Sequence, residues 1–201
     1  MFDRRVISTD NRSMEILKKI ASIFLDTFQT ILIFASILMV LYAFVIQPHQ
    51  VSGQSMFPTF KDQELLLSYL LDVKQNKYKR GDVIIFHSPV EVDKKYIKRI
   101  IGIPGDRVMV LDGGVYVNGS RVDESGYLDS DVRTSGGNGM IEGQDIFVDE
   151  GFLIVMGDNR PHSSDSREWG LLDKQKVIGR SVVRIFPFSE FGIIRNPFAQ
   201  K

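Results

Sequence analysis

The sequence contains no cysteine, only three histidines (His49, His87 and His162) and a single tryptophan, Trp169. The missing thiols exclude a disulfide framework, a thiolate metal site and a cysteine nucleophile. The histidines are dispersed, and none forms the close-spaced pair of a zinc protease helix, so no metal or other cofactor is expected. Excess charge of either sign is missing too, with 25 Lys and Arg against 25 Asp and Glu. No basic surplus points to nucleic acid as a partner, and no acidic tract points to a disordered tail. Past residue 50 there is no long amphipathic helical pattern.

What is present begins with one long apolar run. Residues 27–46 read TFQTILIFASILMVLYAFVI, twenty residues without a charge. As a helix they extend about 30 Å, the thickness of a bilayer's hydrocarbon core. The run is too long for the apolar stretch of a cleaved signal peptide, and Gln47, Pro48 and His49 follow it instead of small residues. Arg4, Arg5, Arg12, Lys18 and Lys19 precede the run, and the first basic residue after it is Lys61. The positive-inside rule then expects 1–26 in the cytoplasm, a single span over 27–46, and 47–201 outside. Residues 12–25 are expected to continue the helix inward along the membrane surface.

The outer part reads as mostly β. Short runs rich in Val, Ile, Tyr and Phe recur over 64–71, 82–87, 95–103, 107–111, 114–117, 151–156 and 176–186. Asp112-Gly113 and Asn118-Gly119 are hairpin signals. The polar, Gly-rich stretch 123–144 reads as a surface loop inserted into this pattern, a flexible connection without chemistry. Trp169 and the aromatic run from Ile185 to Phe191 are suited either to the core or to a membrane interface.

Three clusters stand out: Val51-Ser52-Gly53-Gln54-Ser55-Met56-Phe57-Pro58-Thr59, Tyr96-Ile97-Lys98-Arg99-Ile100-Ile101-Gly102-Ile103-Pro104-Gly105-Asp106, and Gly157-Asp158-Asn159-Arg160-Pro161-His162-Ser163-Ser164-Asp165-Ser166-Arg167. Singly, each has an ordinary reading: a Ser-Gly turn, a lysine reaching for water, a loop of Asx turns. Alternation along the second cluster puts Tyr96, Lys98 and Ile100 on one face and Ile97, Arg99 and Ile101 on the other. One basic residue is therefore expected to point inward, where a charged amine is costly unless neutral or paired.

Taken in order behind the apolar run, and with Arg80-Gly81-Asp82-Val83 as a fourth box, these clusters resemble type I signal peptidases, in particular the single-span form of Gram-positive bacteria. The resemblance covers the outer part from about residue 51 to 167. It implies a domain of two antiparallel β-sheets, a fold shared with self-cleaving repressors, and an endopeptidase that removes signal peptides from exported preproteins. In that family Ser55 corresponds to the nucleophile and Lys98 to the general base. Ser163 corresponds to a hydroxyl that orients the lysine, Asp165 and Arg167 to a supporting pair, and Asp158 to a further supporting acid. Met56, Tyr96 and Ile97 correspond to positions near the substrate pockets. Some members carry a serine two positions before the nucleophile that helps bind the oxyanion. Gly53 stands there in this chain, which leaves the oxyanion to backbone N–H groups such as that of Ser55.

The implied partners are preproteins with small residues at −1 and −3, membrane lipid, and a nearby secretion translocon. Ser55 follows the apolar run by about ten residues, so at roughly 3.3 Å per extended residue it stays near the bilayer, and a tethered enzyme shares its substrate's surface. Two competing readings remain: a serine hydrolase using His162 or His87 as base, and a non-catalytic membrane-anchored β-domain acting as sensor or adaptor.

A lysine acts as a base only when neutral, and at its ordinary pKa only about one amine in a thousand is neutral near pH 7.4. Lys98 is accordingly predicted to titrate well below a free lysine. Direct titration of the Lys98 amine checks this, and an amine still protonated above about pH 9.5 defeats the general-base role.

Overall fold

The computed structural model describes residues 4–75 and 77–198, and the chain divides into two compact units, 1–44 and 45–201. The first contains α1 (Arg4–Phe44), a helix of 41 residues. Its portion Met14–Phe44 is long and apolar enough to cross a bilayer, and its large side chains are exposed throughout. With no core of its own to enter, such a surface is suited to lipid. The helix ends two residues before Ile46, which is the first residue of a strand although the sequence groups it with the apolar run.

The second unit is mostly β. In chain order the strands are β1 (Ile46–Gln50), β2 (Leu65–Tyr69), β3 (Val83–His87), β4 (Lys95–Gly102), β5 (Arg107–Leu111), β6 (Gly114–Val117), β7 (Ser120–Arg121), β8 (Ile146–Phe147), β9 (Phe152–Met156), β10 (Leu172–Asp173), β11 (Val177–Phe186) and β12 (Gly192–Ile193). Helical structure is confined to single turns, α2 (Leu71–Lys74), α3 (Ser166–Trp169) and three short 3-10 segments among the described residues. Among the described residues the strand pairings are antiparallel: the large sheet runs β1-β2-β11-β3-β4-β9-β10 and the small one β7-β6-β5-β8. Along one edge of β11, β3 takes the first half and β12 the second.

The two hairpins of the small sheet follow from their turn residues. Asp112-Gly113 and Asn118-Gly119 hold positive φ at both positions (51° and 76°, then 53° and 79°), the twist that a two-residue hairpin needs. The inward side chains Val108, Val110, Val115 and Val117 pack with Ile101, Ile154 and Met156 of the large sheet, so one apolar cluster joins the two sheets. A second cluster, around Met56, Phe60, Val83 and Ile97, lies beneath the 51–60 segment, and a third, around Phe86, Ile100 and Leu153, lies on the other face of the large sheet. Trp169 packs against that third cluster, edge-on to Phe86 at 6.2 Å, whereas Phe186, Phe188 and Phe191 remain exposed.

Two expectations are corrected here. From Ile97 onward β4 is buried on both faces, so Lys98 and Arg99 are both enclosed, and alternation does not send one of them to water. The 123–144 stretch has no regular secondary structure, yet it is built into the domain. Tyr127, Leu128, Thr134 and Met140 are buried, Met140 belongs to the cluster that joins the sheets, and Gly139 and Met140 N–H groups both donate to the Arg167 carbonyl. Its scarcity of apolar residues conceals this, because backbone and ionic contacts perform most of the anchoring. Met140→Ala is expected to destabilise the domain by about 2–5 kcal/mol, as for a buried methionine, in denaturant unfolding of the detergent-solubilised chain. A change within about 0.5 kcal/mol, as at exposed loop positions, contradicts the anchored role.

Candidate active site

The turn after β1 carries Ser55. Met56 and Phe60 are wholly buried and hold it from beneath, while Phe60 N–H donates to the Met56 carbonyl at 2.8 Å. Gly53 has φ +87°, a conformation costly for other residues, and its N–H donates to Asp62 Oδ1 at 2.8 Å. From the opposite side Asn159 N–H donates to the Ser55 carbonyl at 3.0 Å, and the Asn159 side-chain amide donates to the Gln54 carbonyl at 3.0 Å. Gly157 makes this approach possible, since a Cβ there would lie 2.5 Å from the Ser55 carbonyl oxygen and 2.2 Å from Ser163 Oγ. Ser55 is thus fixed through its backbone, leaving its half-buried hydroxyl free to point toward β4.

Lys98 Nζ meets that hydroxyl, donating to Ser55 Oγ at 2.7 Å. With the amine neutral, the same separation suits the serine O–H donating to the nitrogen lone pair. Lys98 is 3% exposed. Burial lowers its pKa to about 8, against the opposing pull of Asp165 and Asp158, with Arg167 adding a smaller push downward.

The two carboxylates are each spent on a guanidinium. Arg99 donates to Asp158 through two bonds of 2.9 and 2.6 Å, and also donates to the Gly81 carbonyl. Arg167 donates to Asp165 through two bonds of 2.8 Å. Burial pushes the Asp165 carboxyl up, but Arg167, the Gly157 N–H and Ser163 together hold it below its ordinary value, so it stays ionised. Asp165 also accepts from the Arg167 N–H as the cap of α3.

A third ionic group ties these pairs to the long loop. Arg160 donates to the Gly157 carbonyl at 3.0 Å and pairs with Glu124 and Thr134. The Tyr127 hydroxyl donates to Glu124 at 2.7 Å, and the Tyr127 ring lies 4.2 Å from the Arg99 guanidinium. The sequence reading includes Gly157, Asn159 and Arg160 in its third cluster without giving them a role, and it passes over the contacts of Asp62 and Glu124. Gly157 alone carried a signal, a glycine between a buried strand and a polar cluster.

A cavity of about 290 Å³ opens beside the dyad, lined by Ser55 and Lys98 and by Gly53, Tyr96, Ile97 and Leu66 among others. Tyr96 and Ile97 line this cavity. Met56 does not: it is buried in the core under the turn and is absent from the cavity wall. Gly53 lines the cavity, but its N–H is already engaged by Asp62, whereas the Ser55 N–H donates to no acceptor among the described residues. Ser163 is brought near the site without touching the amine. Its enclosed Oγ makes no hydrogen bond of accepted geometry, and its influence falls on Asp165. His87 is exposed and outside the cavity, while His162 reaches its rim. No cluster able to hold a metal is found among the described residues.

Residues 24–186 match the family model described as signal peptidase, peptidase S26. A signal peptidase IB of Staphylococcus aureus (strain MRSA252) is 35% identical over 172 residues, covering 80% of this chain and 88% of the relative. A signal peptidase I of Bacillus licheniformis is 39% identical over 166 residues, covering 81% and 88%. A crystal structure of a signal peptidase I from Enterococcus faecalis V583 aligns at 30% identity and a TM-score of 0.41, covering 51% of this chain and 95% of the other. With the match reaching from within the apolar helix to the end of β11, over most of the chain, the chain belongs to the signal peptidase family, peptidase S26.

Proposed function

We propose that this membrane-anchored chain removes N-terminal signal peptides from exported preproteins, with Ser55 as nucleophile and Lys98 as general base. The observation that carries the residue assignment is the 2.7 Å separation between a buried amine and the Ser55 hydroxyl. At a pKa of about 8, roughly one Lys98 amine in five is neutral near pH 7.4. The neutral amine takes the Ser55 proton as Oγ attacks the scissile carbonyl, and returns it to the leaving amine. The Ser55 N–H is available to the developing oxyanion, so this role falls to it and not to Gly53. Asp165 with Arg167, and Asp158 with Arg99, hold the surrounding backbone without restoring charge to the lysine.

Extended substrate is accommodated by two open strand edges. Among the described residues β1 pairs only with β2, and β4 pairs with β9 only from Arg99 onward, leaving Lys95–Lys98 open on that side. A peptide added there as a strand presents alternate residues to the same face. Small residues at −1 and −3 then face the 290 Å³ cavity together. Orientation follows from charge, with the N-terminal basic residues in the cytoplasm and 47–201 outside, where translocating preproteins and lipid are at hand. Lys98 already occupies the Ser55 hydroxyl, which disfavours His162 or His87 as base. The same dyad disfavours a purely sensory or adaptor role.

Two measurements test this reading. Incubating the solubilised chain with a preprotein and sequencing the new N-terminus is expected to show cleavage after the signal peptide. Ser55→Ala and Lys98→Ala are each expected to abolish it while remaining folded, and either variant retaining near-normal turnover refutes its assigned role. The pH dependence is a second test. The rate is expected to rise through an apparent pKa near 8 as Lys98 loses its proton. Stability responds in the same direction. Between about pH 8 and 10.5 the unfolded chain binds the lysine proton and the folded chain does not, so stability rises with pH across that window. The penalty remaining below pH 8 is about 3 kcal/mol. Lys98→Met is expected to remove both the penalty and the slope in chemical denaturation, and an unchanged slope rejects a neutral Lys98.

A further inference from the structure

The wall of the cavity beside the dyad carries one sign of charge. His49, Lys95, Lys98 and His162 line it, and no Asp or Glu does. Lys98 is committed to Ser55, which leaves Lys95 as the ammonium on this wall without a counter-charge. Lys95 opens β4 and makes no ion pair among the described residues. Of the two acids just before it, Asp93 makes no ion pair with it, and Glu91 is taken by Lys94 and by the Tyr96 hydroxyl. Across the cavity, His49 sits on the edge strand β1, and its Nε2 is enclosed with no hydrogen-bond partner. The two groups sense each other: His49 is held below its ordinary pKa first by burial and second by the charge of Lys95. A wall with unpaired donors and no acceptor charge is unfavourable when empty of partners and favours a ligand that brings acceptors.

We propose that Lys95 and His49 form a substrate subsite that favours an acidic side chain in the segment flanking the scissile bond. This rests on the signal-peptidase reading and adds a charge preference to the small-residue requirement at −1 and −3. The geometry is that of a peptide lying between the open edges of β1 and the first half of β4. These edges carry His49 and Lys95 respectively, so a side chain turned toward the gap meets both donors. An anion between a lysine ammonium and an imidazole N–H gains a charge-assisted hydrogen bond that a neutral amide receives only weakly. Because Lys95 is exposed, the gain is that of a partly solvated pair and falls with added salt.

The test uses the full chain in detergent and a panel of preprotein-derived peptides carrying Glu, Gln or Lys, one position at a time, from −5 to +2. The expected result is one position at which kcat/KM is about fivefold higher for Glu than for Gln and lower still for Lys, the scale of a half-exposed ion pair. That ratio falls to about one in Lys95→Gln and weakens in His49→Ala. Lys95→Glu shifts the preference to the Lys peptide, a reversal that simple damage to the fold does not produce. His87→Ala, which alters a histidine outside the cavity, keeps the wild-type ratio. Equal cleavage of the Glu, Gln and Lys peptides at every position overturns the subsite and leaves the signal-peptidase reading standing. A preference that persists in both Lys95 variants also overturns the subsite alone. Failure of the wild-type chain to cut any member of the panel overturns both.

Discussion

The proposed mechanism depends on holding down the pKa of one amine in the company of two carboxylates. Asp158 and Asp165 both lie close enough to raise the Lys98 pKa, and left alone they would fix it as an ammonium. Each is instead held by a two-bond guanidinium contact, from Arg99 and Arg167. The paired acids are nearly neutral seen from the lysine, so burial decides the outcome. Removing either arginine would expose a buried carboxylate, destabilising the domain and recharging the base at once. The supporting pairs are thus electrostatic shields as well as braces.

Much of this was legible in the sequence, because it depends on local pattern. The hairpins at Asp112-Gly113 and Asn118-Gly119 need positive φ, and those residue types advertise it. Runs such as 107–111 and 114–117 coincide with β5 and β6 to the residue. Lys98 and Ser55 were found through their neighbours in the chain, and the structure brings them within hydrogen-bonding distance. What eluded the sequence depends on contacts between distant segments. The first residue of β1 was absorbed into the apolar run since Val45 and Ile46 are as hydrophobic as the helix before them, and Gln47-Pro48-His49-Gln50 carry no strand pattern. The two-residue strands β7, β8, β10 and β12 are too short to show a period.

The 123–144 segment shows the same limit at its clearest. Its polarity signals a solvent loop, but Glu124 points inward to Arg160, and Tyr127 lies flat against Arg99. Charged residues in a sequence do not reveal whether their partner is water or a cation from a segment some thirty-six residues later, as Arg160 is from Glu124. Through these contacts the loop supports the same arginines that shield the lysine. A segment that seemed dispensable belongs to the electrostatic frame of the site.

The proposed nucleophile illustrates why a backbone-held serine would suit a lysine base. Ser55 is secured by its carbonyl on Asn159, by Gly53 on Asp62, and by two buried residues beneath it, Met56 and Phe60. None of these contacts consumes the hydroxyl. The only directional partner of Oγ among the described residues is the Lys98 amine. A histidine base is commonly oriented by a third side chain, whereas a lysine on a central strand is oriented by the strand itself, with the apolar packing on both faces of β4 restricting its four-carbon stem. The burial that lowers the pKa therefore also aims the nitrogen. Ser163, whose hydroxyl makes no bond to the amine here, takes no direct part in that alignment in this structure. Position and protonation of the base come from one cause, the enclosure of β4, and any change that lets water reach Lys98 weakens both together.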